Sequence, residues 1–343
     1  MSESNCRTAR FRKHSDLESL LVEINGRLES SNAEMTRRLA EERQPKIFVH
    51  GPLRSGTTLF MQWLSETGLA ACPTNFLSRF YGAPVIGARI QQVLTDPRYN
   101  FRDEILDFNS RIDFRSENGK TRGALSPNEF WYFWRRFLPF ENLDYLPGVE
   151  LIRRGHLDGL RDELNALANA FERPFALKAM IMNQNIPALS GRFDNALFVH
   201  IHRDPVFNVQ SALEARKRQY DDIRHWYSFR IREYPDLKDR EPLESVAGQI
   251  AAINRSVEIG MQSVPDNRRL TVPYESFCKD PRSYYEQVIE RLRELGWSTK
   301  EHPYVGPESF QITNHWRLDE YSQEEAEEAS AAMQEWASRA VSF

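Results

Sequence analysis

Lys46-Ile-Phe-Val-His50, Gly51-Pro-Leu-Arg-Ser-Gly-Thr-Thr58 and Leu59-Phe-Met-Gln-Trp-Leu64 follow one another without a break, and their order decides the fold. The first is a short apolar run after Pro45 and predicts a strand. The second is a loop of small residues. The third repeats Leu59, Phe60, Trp63 and Leu64 at helical spacing. Strand, loop and helix in this order form the setting of a phosphate-cradling loop. There, backbone N–H groups converge and the helix N-terminus favours an anion. The pattern approaches G-x-x-x-x-G-K-[ST], but Thr57 stands in the lysine place. No lysine reaches a β/γ-phosphate pair, and no apolar strand ends in a clear magnesium-binding Asp, so nucleotide hydrolysis loses two of its expected parts. What remains is an anion cradle of Arg54, Ser55, Gly56, Thr57 and Thr58.

Working outward, three more apolar runs predict strands at 175–178, 196–202 and 269–273, with helical segments between and after them. Alternation of this kind implies a parallel sheet with helices on both faces. The expected fold is therefore α/β, a P-loop-type central parallel sheet flanked by helices. Residues 1–44 read as an N-terminal helical extension, amphipathic from Asp16 to Arg43 with a break near Ser30-Ser31, able to cover the core or to pair two copies. Residues 45–343 read as one α/β domain, with 74–174 as a helical insert. Helices are expected at 84–94, 126–138 and 157–171 within the insert, then at 283–295 and 320–340.

The third strand ends in His202-Arg203-Asp204-Pro205, and Ser211 lies two turns into the following helix. Ligands of open α/β sheets bind at the carboxyl ends of strands. Arg203 and Ser211 could grip a second phosphate there, through a charge-assisted fork and a hydroxyl. The plainer reading is a structural Arg-Asp turn with Pro205 starting the helix.

The stretches GPLRSGTTLF and FVHIHRDPVFNVQSAL, followed by Val272-Pro-Tyr-Glu-Ser-Phe-Cys-Lys-Asp-Pro281, resemble the sulfotransferases that use 3′-phosphoadenosine-5′-phosphosulfate (PAPS), the bacterial branch in particular. Order and spacing match from Lys46 to about Pro281, and Thr313-Asn-His-Trp-Arg-Leu318 resembles the family more weakly. The resemblance implies that Arg54 to Thr58 hold the 5′-phosphosulfate, that Arg203 and Ser211 hold the 3′-phosphate, and that Tyr274 lies near the nucleotide. It implies PAPS as co-substrate and needs no metal.

Sulfuryl transfer requires a base for the acceptor hydroxyl, stabilisation of the leaving phosphate oxygen, and in-line placement. Arg54 suits the second task. Lys178, at the end of the second strand, resembles the family lysine of a Lys-x-His or Lys-Ser-Pro segment, but Lys178-Ala-Met-Ile-Met lacks the histidine. The base is the weak point. Cys72-Pro-Thr-Asn75 offers no carboxylate where some branches of the family have a Glu. Glu129, in Ser126-Pro-Asn-Glu-Phe130, is the leading candidate and His202 the rival. On this reading Glu129 falls in the first turn of a helix begun by Ser126-Pro127, where it could equally complete a cap. The aromatic run Phe130-Trp-Tyr-Phe-Trp-Arg-Arg-Phe137 reads as core, or as a stacking wall for an acceptor.

Composition bounds these readings. The chain has 343 residues, 41% hydrophobic and 27% charged, which is a soluble globular profile able to bury a large core. A net charge of −4 argues against a nucleic-acid partner. Cys6, Cys72 and Cys278 form neither a disulfide framework nor a zinc pattern, and the histidines show no metal-ligand spacing. No apolar run of signal-peptide or membrane-spanning length occurs, so a cytoplasmic protein is expected. The expected activity is PAPS-dependent transfer of a sulfuryl group to a hydroxyl, less readily an amine, of a small molecule, glycan or lipid-linked sugar. The alternatives are a P-loop kinase and a nucleotide-binding regulator without catalysis.

Overall fold

The computed structural model describes residues 6–100, 102, 104, 105, 114, 116, 117, 120–298 and 302–341. Helix α1 (Ser15–Leu39) precedes β1 (Lys46–His50), and α2 (Thr57–Glu66) follows the loop. The long middle stretch holds α3 (Pro84–Thr95), a small hairpin of β2 (Ser116–Glu117) and β3 (Lys120–Thr121), then α4 (Trp131–Arg135), α5 (Gly148–Arg154) and α6 (Leu157–Phe171). Next come β4 (Phe175–Lys178), α7 (Ile186–Ser190), β5 (Ala196–His202), α8 (Pro205–Tyr220), α9 (Tyr234–Leu237), α10 (Pro242–Gln262) and β6 (Arg269–Pro273). Helices α11 (Tyr274–Lys279), α12 (Pro281–Glu294) and α13 (Gln323–Ala340) follow.

The four long strands form one parallel sheet in the order β4-β1-β5-β6. Strand β1 lies between β4 and β5, so the loops leaving their carboxyl ends converge on one crevice. Every residue of β1 and β4 is buried, whereas β6, at the edge, alternates. Burial on both faces is why β1, and the edge strand β4 as well, read as continuous apolar runs. The pleat sends Phe48 and Phe198 to one face, against Phe193 and Trp134. It sends Ile47, Val49, Leu197 and Val199 to the other, against Phe60, Trp63 and Phe277. Each face buries a full aromatic and aliphatic layer, which makes the sheet a rigid base for the loops.

Two expectations need correction. First, α1 runs unbroken through Ser30-Ser31, because both serines face solvent and the inner face is anchored by side-chain amides. Asn32 Oδ1 accepts from Val85 N at 2.9 Å, in the first turn of α3, whose own N-cap Ala83 has no side chain to serve it. Asn25 Oδ1 accepts from Gly82 N at 2.7 Å. Helix α1 thus lies along α3 and α6 of the same chain. Second, the helix expected over 126–138 is only Trp131–Arg135. Phe130 takes a left-handed conformation (φ 57°), its N–H bonded to Asn128 Oδ1 at 2.8 Å, and this delays the helix. Glu129 therefore stands in the loop before the helix and not in its first turn, and the capping role falls away.

Candidate active site

The loop after β1 turns on two glycines and one arginine. Gly51 (φ 141°) passes so close to β5 that a Cβ would lie 2.2 Å from the Ile201 carbonyl oxygen. Gly56 (φ 100°) packs under the Tyr274 ring, 2.4 Å from where a Cβ would be. Arg54 is held at φ 64°, a cost that only a tightly fixed loop sustains. The fixing comes from asparagines. Asn183 donates to Gly51 O at 2.8 Å and accepts from Gly51 N at 3.2 Å, while Asn208 donates to Leu53 O at 2.6 Å. Ser55 Oγ donates to Pro52 O at 2.8 Å, closing the turn from within.

The turn after β5 meets this loop. Arg54 Nε donates to Ser211 Oγ at 3.1 Å, and Arg203 Nη1 donates to Arg54 O at 3.4 Å. The Arg203 guanidinium lies over the Tyr274 ring, 4.8 Å from its centroid. Burial lowers the Arg203 pKa, Tyr274 opposes the shift, and the positive charge of Arg54 adds to it. Among the described residues neither guanidinium has a carboxylate within ion-pair distance. Two neighbouring cations, one of them buried, over a loop of converging N–H groups need an anion to balance them.

Residues far along the chain complete this pocket. Asn314 Oδ1 accepts from Arg203 Nε and Nη2 at 2.9 and 2.7 Å, and Thr313 Oγ1 accepts at 3.2 Å. The segment is stapled to α8, where Gln210 donates to His315 O at 3.0 Å and accepts from Arg317 N at 2.6 Å. Thr313 to Leu318 resembled the family only weakly in sequence. Its irregular backbone gives no periodic signal, so its contact with Arg203 was not foreseen. Asn183 and Asn208 were also missed, since no local pattern marks an asparagine that clamps a loop more than a hundred residues away.

At the other side of the loop stands an ion pair. Lys178 Nζ, almost fully buried, donates to Thr58 Oγ1 at 2.6 Å and to Glu129 Oε1 at 3.0 Å. Trp131 Nε1 donates to Glu129 Oε2 at 2.5 Å, so both carboxylate oxygens are aimed. The second hydroxyl, Thr57 Oγ1, turns inward to Met180 Sδ at 3.7 Å, leaving only its backbone toward the loop. The structure thus gathers Arg54, Ser55, Gly56, Thr58, Arg203, Ser211 and Tyr274 around one cradle, with Lys178 and Glu129 beside it. His202 lies away from Glu129, near the His200 ring.

A cavity of about 790 Å³ opens beside Glu129, bounded by Trp131, Tyr132, Tyr227 and Phe229 and by residues of the N-terminal segment. Five non-glycine residues have positive φ, among the described residues. Glu172 and Asp221 simply end helices. The other three, Arg54, Phe130 and Ser228, stand at the loop, beside Glu129 and beside Tyr227, so the strain collects around this site. Among the described residues no three His, Cys, Asp or Glu side chains are grouped as a metal site, and no helix is long and apolar enough to cross a membrane.

Known proteins resemble this chain in sequence pattern and fold. Residues 45–299 match the sequence pattern of the sulfotransferase family. Sulfotransferase STF9 from Mycobacterium avium superposes with a TM-score of 0.57 at 18% identity, over 97% of this chain and 88% of that one. At that identity the likeness is one of fold. Sulfotransferase STF1 from Mycobacterium tuberculosis H37Rv aligns more loosely, with a TM-score of 0.48 at 13% identity over 89% and 81% of the two chains. No curated protein matches the sequence. With the pattern running from the first strand past the last, on a parallel sheet of the same architecture, the chain belongs to the sulfotransferase family.

Proposed function

We propose that the protein transfers a sulfuryl group from PAPS to a hydroxyl of an acceptor seated in the cavity beside Glu129. One observation carries the reading: Arg54 and Arg203, adjacent and without carboxylate partners among the described residues, stand over a strand-loop-helix cradle. A donor with phosphate groups at both ends of its ribose satisfies both cations. ATP would leave Arg203 and Ser211 without a 3′-phosphate to hold.

In this reading the N–H groups of Arg54 to Thr58 and the α2 N-terminus hold the 5′-phosphosulfate. Arg203 and Ser211 hold the 3′-phosphate, and Tyr274 flanks the nucleotide. Glu129 removes the acceptor proton as the hydroxyl oxygen bonds to sulfur. As the bond from sulfur to the bridging phosphate oxygen breaks, Lys178 and Arg54 meet the charge on that oxygen. Thr58 fixes the Lys178 ammonium at the cradle. The N-terminal extension (1–44) and the insert (74–174) supply the acceptor side, and the sheet domain supplies the donor side. No step calls on a metal.

The test is thermal unfolding with 3′-phosphoadenosine-5′-phosphate, ADP, and ATP with magnesium. A ligand at a hundred times its Kd stabilises by about 2.7 kcal/mol. A shift with the 3′-phosphorylated nucleotide that ADP does not give is the expected result. A shift with ATP alone would overturn the reading in favour of a kinase. Labelled PAPS turned over against a cell extract then separates an enzyme from a regulator.

A further inference from the structure

The cavity beside Glu129 has an unbalanced charge. Its lining acids are each matched. Glu129 pairs with Lys178 at 3.0 Å, Asp144 with Arg135 at 2.9 Å, Glu141 with Arg154 at 2.9 Å, and Glu18 with Lys13 at 3.8 Å. Four lining cations, Arg7, Arg12, Arg79 and Lys120, have no carboxylate within ion-pair distance among the described residues. The whole chain carries −4, so this local excess runs against the overall sign.

The cations are placed, not scattered. The N-terminal segment is tied across the end of α8, where Thr8 N donates to Gln219 O at 2.8 Å and Thr8 Oγ1 to Arg218 O at 3.2 Å. Phe11 is buried beneath it. The Lys120 ammonium lies 4.7 Å over the Phe11 ring, and the Arg7 guanidinium 5.8 Å over Tyr220. Arg12 Nε donates to Arg7 O at 2.8 Å. Burial lowers the Lys120 pKa and Arg7 lowers it further, with the Glu129 charge opposing them, so the cations crowd one another without an ion-pair partner of their own among the described residues. Tyr227 connects this corner to the chemistry. Burial raises its pKa to about 12, and its hydroxyl feels Arg54, Glu129 and Arg7 alike. The cavity itself runs from Glu129 to the cation cluster. Its volume suits a small molecule.

We propose that the acceptor carries a second, anionic group, a carboxylate or phosphate, which Arg7, Arg12 and Lys120 hold in the same cavity. The chemical class is a hydroxylated ring bearing an acid, with Trp131 and Phe229 as the ring's wall. This rests on the proposed acceptor role of the Glu129 side.

Four phenols test it by calorimetric titration into the full-length protein: para-hydroxyphenylacetate, its methyl ester, tyramine and para-hydroxybenzylphosphonate. They present one hydroxyl with negative, neutral, positive and phosphonate ends. The acid and the phosphonate should bind at least about tenfold tighter than the ester, as expected for hydrogen bonds to charged groups, and tyramine weakest. The advantage should shrink with added salt. In the double variant Arg7→Gln with Lys120→Gln, acid and ester should bind alike, while the unfolding midpoint and the shift with 3′-phosphoadenosine-5′-phosphate stay unchanged. Equal binding of acid and ester by the native protein overturns the proposal, as does an advantage that survives in the variant or no binding of any probe at millimolar concentration. The nucleotide shift is read separately. Its loss would sink the donor reading without touching the acid-to-ester ratio.

Discussion

Arg54 Nε donates to Ser211 Oγ at 3.1 Å, across 157 residues of chain. The bond joins the loop after β1 to the helix after β5, the two places where a bound anion would meet a helix start. It ties the two grips together at Arg54 and Ser211, with Arg203 outside the bond.

The grip on the 3′-phosphate gives the first prediction. Arg203→Ala removes a cation that Asn314 and Thr313 hold in place, and should weaken 3′-phosphoadenosine-5′-phosphate binding by about 10- to 150-fold, the range of a charged hydrogen bond. ADP affinity should hardly change. Titration of both nucleotides against native protein and variant checks it; an equal loss for both would mean that Arg203 only supports the loop.

Lys178 and Glu129 give the second. Glu129→Gln keeps shape and loses the proton acceptor, so turnover should fall about 10²- to 10⁴-fold. Nucleotide binding should persist, because Glu129 faces the cavity and not the cradle. Single-turnover rates with saturating donor decide this, and a near-native rate would dismiss Glu129 as the base.

Gly56→Ala would force a side chain into the Tyr274 ring at a φ that L-residues avoid. A cost of about 1–3 kcal/mol is expected from the backbone alone. Denaturant unfolding measures it. The paired control is Gly68→Ala, which has a positive φ with open space around it and so isolates the ring clash.

The buried histidines predict an acid-sensitive fold. Burial pushes His50 down to about 3 and His200 to about 4, with His50 bonded to Asn183 and His200 facing His202 and Asn254. An unfolded histidine titrates near 6.5. Below that pH the unfolded chain takes up protons that the folded chain refuses. Stability is therefore complete above about pH 6.5 and falls toward pH 4, by about 1.4 kcal/mol per pH unit for each histidine. Unfolding between pH 7 and 4.5 reads the slope, and His50→Gln should lower it by about half; an unchanged slope would assign the loss to other groups.

Much of the molecule was readable in advance, for a physical reason. The inner parallel strands 46–50 and 196–202, and the buried edge strand 175–178, are covered by the core, so all three stood out as apolar runs, and the glycines and Arg54 between the first of them and α2 marked the cradle. Glu129 was singled out on the expectation of a helix start, and the structure places it in a loop shaped by the left-handed Phe130. A left-handed phenylalanine has no local signature. The unbroken α1 depends on Asn25 and Asn32 bonding to a segment more than fifty residues on, which no window of sequence contains. The same holds for Thr313 and Asn314, polar residues in an irregular tail whose meaning lies in Arg203.

That tail sets an order of events during synthesis. Asn314 comes 111 positions after Arg203, and the family pattern stops at residue 299. A nascent chain at that point has every strand, the glycine turns and both guanidiniums, but not the partner that orients Arg203. The last piece of the proposed donor pocket is thus translated after every strand of the sheet. A donor molecule would meet the emerging fold without the partner that orients Arg203. The part of ligand stabilisation that runs through Arg203 enters once the tail has docked on α8.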